Sequence, residues 1–153
     1  MGPLIEITEK ETGKVVTSIE YFGSHGDDQR PLREHVKVLW RRDSRAFAVM
    51  IEDRFYTFCK VFARSPQRGF VEVSFPGYQE MTGFPEPNRK VLRPRARAIV
   101  KEWDQEGRLA FEIFFSPTPM YRGDDPLHHL VQLEVSPQGM KKVGLLNLSK
   151  DKK

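Results

Sequence analysis

The chain has 153 residues, 39% of them hydrophobic and 30% charged, a balance that supports a folded core and excludes the low-apolar composition of disordered chains. Its formal charge of +4 is modest, and its single cysteine, Cys59, excludes an internal disulfide and a four-cysteine zinc site. No apolar run approaches the ~20 residues that a membrane-spanning helix needs, and no basic segment leads into an apolar stretch near the start, so a cytoplasmic setting is expected.

Period-2 alternation, β-branched and aromatic enrichment and regularly spaced turn residues predict five hairpins in chain order. The first joins Leu4–Thr8 to Lys14–Phe22 around Gly13, which is free to take the positive φ of a tight turn. The second joins His35–Arg41 to Arg45–Glu52 at Asp43-Ser44, with Val36, Val38 and Trp40 on one face. Pro31 to Trp40 also reads as a helix with proline in its first turn, the weaker alternative. The third joins Phe55–Ala63 to Phe70–Phe75 across Ser65 to Gly69, and its Phe55, Tyr56, Phe58 and Phe62 read as core. Pro76 to Pro94 holds four prolines and two glycines and reads as an irregular loop. The fourth hairpin joins Ala96–Glu102 to Arg108–Phe115, and the fifth joins Leu130–Val135 to Met140–Leu148. The expected fold is therefore all-β, about ten antiparallel strands forming a barrel or a two-sheet sandwich. It is read as one domain over residues 1–153, with 149–153 as a disordered tail.

The two ends resemble each other. With Gly13 set over Gly107, Ile5 falls on Ile99, Lys14 on Arg108, Val15 on Leu109 and Ile19 on Ile113, at an offset of 94. Further on, Gly26-Asp27-Asp28 falls opposite Gly123-Asp124-Asp125, and Val36, Val38 and Trp40 fall opposite Val131, Leu133 and Val135. This pattern implies an internal duplication, residues 4–53 and 98–148, with the hairpin and proline-rich loop of 54–97 inserted between the copies.

Motifs for chemistry are weak. The Gly-Asp-Asp triplets lack a series of further oxygen ligands and read as turns. His128 and His129 are adjacent, so on a strand they point to opposite faces and do not share a metal. His25 and His35 have no nucleophile in a recognisable strained turn beside them, and glycine-rich phosphate loops are absent. No catalytic residue, metal ligand or cofactor is assigned, and the chain reads as a non-enzymatic binding protein.

Charge is the strongest remaining signal. Residues 1–28 hold six acids against two bases, whereas 89–101 hold six bases and no acid. Arg93, Arg95 and Arg97 recur at every second position, which lines guanidinium groups along one side of an extended chain at steps of about 6.6 Å. Tyr78 and Phe84 precede them in a segment poor in burial signals. A nucleic-acid-binding surface for single strands is therefore assigned to Tyr78, Phe84, Arg89, Lys90, Arg93, Arg95 and Arg97. Arg41, Arg42, Arg45, Arg64 and Arg68, near turns of the second and third hairpins, extend that surface if those turns gather at one end. The alternatives are a solvated or self-paired face, an acidic protein partner, an assembly or adaptor module presenting an exposed strand edge or the proline-rich loop to another protein, and a β-barrel holding an apolar small molecule.

Overall fold

A computed structural model describes residues 4–20, 36–52, 57–83, 95–116 and 127–147. The strands are β1 (Leu4–Thr8), β2 (Val15–Glu20), β3 (Val36–Trp40), β4 (Ala46–Glu52), β5 (Thr57–Ser65), β6 (Gly69–Val73), β7 (Arg95–Trp103), β8 (Leu109–Ser116), β9 (Leu127–Ser136) and β10 (Gly139–Asn147). All five expected hairpins form, and the alternative helix over Pro31 to Trp40 is replaced at Val36–Trp40 by β3. Strand β9 starts earlier than expected and takes in both His128 and His129. The Gly-Asp-Asp triplets and residues 149–153 lie outside the described residues.

The strands make one large sheet in the order β10-β9-β8-β7-β5-β4-β3, with β6 also on β5, and a separate two-stranded sheet of β1 and β2. The sheet does not close, so the barrel expectation gives way to a sandwich-like arrangement. Strand β5 is the branch point. Its start meets β7 in parallel at Thr57 and Arg97, while Val61 to Ser65 pair with β6.

Strand β4 is where the layers meet. Its residues Ala46 to Ile51 form an unbroken apolar run and all are buried, as a strand covered on both faces requires. Ala46 and Ala48, with Val61 and Ala63 of β5, face a core completed by Val100, Leu109, Phe111, Ile113, Val131, Leu133 and Val135. Phe47, Val49 and Ile51, with Phe62, face the other way, onto Ile7 and Ile19 of the β1–β2 hairpin. The curled sheet thus packs its small-residue side on β7–β9, and the hairpin caps the aromatic side.

The segment after β6 is not wholly irregular. Tyr78–Thr82 forms one helical turn, α1, entered through Pro76-Gly77 and ended by Gly83 in left-handed backbone at φ 77°. Met81 and Thr82 are buried, and Phe75 stacks on Phe111 with centroids 4.6 Å apart. Proline and glycine bound this turn; they do not prevent it.

Two side chains lock the β3–β4 turn to the other end of the chain. Trp103 Nε1 donates to the Leu39 carbonyl at 2.9 Å, and an Arg41 terminal nitrogen donates to the Val135 carbonyl at 3.1 Å. The Arg41 guanidinium also bonds Asp43 at 2.9 Å and lies 5.6 Å from the Trp103 ring centroid. Arg41 is therefore a half-buried internal brace and does not extend a surface patch.

Candidate binding groove at Trp40

Three turns gather at one end of the structure. In the first, Glu9 N–H donates to the Lys14 carbonyl and Gly13 N–H to the Glu9 carbonyl, each at 2.8 Å, with Gly13 at φ 70°. The Thr12 hydroxyl donates to Glu9 Oε2 at 2.7 Å. In the second, Asp43 Oδ1 accepts from Arg45 N–H at 2.9 Å and Ser44 sits at φ 60°. The Arg41 hydrogen bond, against a smaller burial penalty, holds the Asp43 carboxyl below its ordinary range. The third runs from Ser65 to Gly69, and Arg64 N–H donates to the Arg45 carbonyl at 2.8 Å, fixing the second and third turns together.

Between these turns lies an open groove of about 540 Å³. Its apolar lining includes Trp40, Phe70 and Val15. Trp40 is 42% exposed, although its ring rests on Phe47 at 4.5 Å and meets the edge of Phe70 at 5.7 Å. Those contacts fix the indole while leaving part of it open, which is the arrangement a stacking platform needs. Among the described residues, Lys10, Lys14, Arg64 and Arg68 supply four cations to the lining against the single carboxylate of Glu9.

Of the positions expected from sequence, the described ones fall elsewhere. Tyr78 is half-buried against the core and its ring meets His129 edge-on at 6.4 Å, so it is not an open platform. Burial, against a hydrogen bond with Thr82, raises its phenol pKa. Arg95 and Arg97 occupy alternate positions of β7, in register with Ser116 and Phe114. Phe84, Arg89, Lys90 and Arg93 lie outside the described residues. Lys101, from the same basic stretch, is paired with Glu112 at 2.9 Å. Register also separates Arg97 from the groove. It pairs with Thr57 at the start of β5, while Arg64 is near its end, roughly 23 Å away along the strand.

Comparison with family models, curated proteins and solved structures returned no match. The site therefore stands on its own geometry.

The groove is partly readable in the sequence. Arg64 and Arg68 lie near turns that have only to converge, whereas Lys10 and Lys14 sit in a region whose net charge is negative. Trp40 shares a face with Val36 and Val38, and no local signal distinguishes its exposure from theirs. The histidine reading holds: His128 Nε2 lies 2.9 Å from Glu112, while His129, on the opposite face, is fully buried. Burial also pushes the Cys59 thiol up to about 11, which keeps it protonated and unreactive near neutral pH.

Proposed function

We propose that the protein is a non-enzymatic binder of single-stranded nucleic acid, taking an unpaired base on Trp40 and neighbouring phosphates on Lys10, Lys14, Arg64 and Arg68. The observation that carries this reading is the half-open indole held inside a groove with four cations and one carboxylate. Each part has a physical role. Every base has a π-face, so stacking on Trp40 tolerates any sequence, and it requires the base to be unpaired. The cations gain affinity by releasing counterions from the phosphate backbone, which makes binding fall steeply with salt. Arginine adds bidentate phosphate contacts that lysine does not.

The basic strand enters this reading as a second, separate contact. Arg95 and Arg97 would hold phosphates away from the groove, and Arg89, Lys90 and Arg93 precede them in sequence; Tyr78 drops out as a platform because the core takes it. A reducing, cytoplasmic setting belongs to the same proposal. The apolar-ligand alternative loses its support, because the sheet is open and Phe47, Phe62 and Phe111 pack into the core.

Fluorescence anisotropy with a labelled single-stranded oligonucleotide tests the proposal. Binding at about 50 mM salt that weakens by an order of magnitude or more on moving to about 200 mM is the expected result. A labelled poly-glutamate peptide that binds as well as the oligonucleotide moves the reading to an acidic protein partner. No oligonucleotide binding at the lower salt overturns it.

A further inference from the structure

The edge of the large sheet opposite β3 has the features of an interface. Among the described residues β10 has β9 as its only strand neighbour, and no described strand pairs with the other side of its backbone. It is nine residues long and contains no proline. Three of the five large apolar side chains exposed among the described residues lie on it: Val143 at 38%, Leu145 at 41% and Leu146 at 55%. Charge is confined to Lys141 and Lys142, and a bulge at Val143 separates them from the uncharged stretch 143–147.

We propose that this stretch pairs antiparallel with the same stretch of a second copy, about a two-fold axis perpendicular to the sheet and midway between the two Leu145 residues. The proposal is independent of the groove reading. Such an axis keeps each face of the sheet continuous, so opposed residues must be an even number apart, and centring on Leu145 meets that condition. Leu145 then faces Leu145 of the second copy, Leu146 faces Gly144, and Val143 faces position 147. Gly144 has no side chain of its own, and the Gln132 side chain lies where its Cβ would sit, so the incoming leucine meets that side chain and not a second bulky residue from β10. Lys142 and its symmetry mate lie about 20 Å apart along the strands, too far to repel strongly in salt. A parallel pairing would set Lys141 and Lys142 beside their own copies. An acidic partner strand would leave its carboxylates against an apolar, uncharged stretch.

A strand-edge contact of this kind is small, which places the dimer in the weak, concentration-dependent class.

The test combines sedimentation velocity on the full chain, from micromolar to near-millimolar concentration, with cysteine crosslinking. The expected result is a rising dimer fraction that the double substitution Leu145→Lys, Leu146→Lys removes without changing the circular dichroism spectrum. Paired strands hold opposed Cα atoms about 4.5–5.5 Å apart, within disulfide reach, so Leu145→Cys should crosslink to its own copy on mild oxidation. Val143→Cys should not, since the two copies of residue 143 lie roughly 13 Å apart in this register. The wild-type chain, carrying Cys59, is the baseline. A monomer at every concentration, a dimer indifferent to the lysine pair, or crosslinking at 143 in preference to 145 each overturns the proposal.

Discussion

Hairpin β1–β2 and hairpin β7–β8 both turn on a glycine in left-handed backbone, Gly13 at φ 70° and Gly107 at φ 77°, and both bury an isoleucine at the matching place, Ile19 and Ile113. Their surroundings differ. Strand β8 has β7 on one side and β9 on the other, and Leu109 is fully buried, whereas β2 has β1 as its strand neighbour and Val15 is 44% exposed. The second half of the chain runs as a continuous meander from β7 to β10. In the first half the chain breaks that order: β2 does not pair with β3, and the β1–β2 hairpin caps the aromatic face of β4 instead. The groove at Trp40 lies beside this departure, where the cap ends and the turns of β3–β4 and β5–β6 converge. The two halves share these turn and burial features, and the place where they part company is where an open aromatic surface remains.

The largest expected effect probes whether the two cores are of equal weight. Phe47→Ala on the hairpin side and Phe111→Ala on the meander side should each cost about 3–5 kcal/mol in urea unfolding. A loss under about 1 kcal/mol for Phe47→Ala would mean that the β1–β2 cap is not docked as described. Next comes the groove itself. Trp40→Ala should weaken oligonucleotide binding by about 1–3 kcal/mol, or roughly 5- to 150-fold, as measured by anisotropy. Charge reversal of Arg64 and Arg68 should weaken it more than reversal of Arg95 and Arg97, and the opposite order would move the contact to the basic strand.

Smaller effects compare the turns. Gly13→Ala and Gly107→Ala each force a side chain into left-handed backbone, at about 1–2 kcal/mol by thermal or urea unfolding. Gly107→Ala should cost slightly more, because its new Cβ would meet Arg41 Cδ at 3.4 Å while the space at Gly13 is open. Equal costs would show that the Arg41 brace yields freely.

The smallest effect is a difference in acid sensitivity within the meander. Burial, reinforced by the charge of His128, lowers the His129 pKa below the ordinary 6.5. Below that value the unfolded chain binds the proton more readily than the folded one, so stability is intact above it and declines as pH falls. Burial raises the Glu112 pKa, but Lys101 and His128 together overcome this and leave it below 4.5, which adds a second loss at lower pH in the same direction. His129→Gln should flatten the stability profile between about pH 7 and pH 5, and an unchanged slope there would remove His129 as its source.

Much of this architecture was legible because it is local. The shared face of Val36, Val38 and Trp40 specifies strand at β3, and Gly13 and Gly107 mark turns that need positive φ. The opposite facing of His128 and His129 follows from strand geometry alone. The tertiary structure decided the rest. Arg41 reads as a surface turn arginine until the Val135 carbonyl, 94 residues away in sequence, arrives beside it. Tyr78 reads as exposed until α1 folds onto β9 and β10. Trp40 shares its face with Val36 and Val38, yet it stays 42% exposed at the rim of the groove. Periodicity tells which side of a strand a residue occupies; what comes to lie against that side depends on chain segments far away, and no local pattern carries that information.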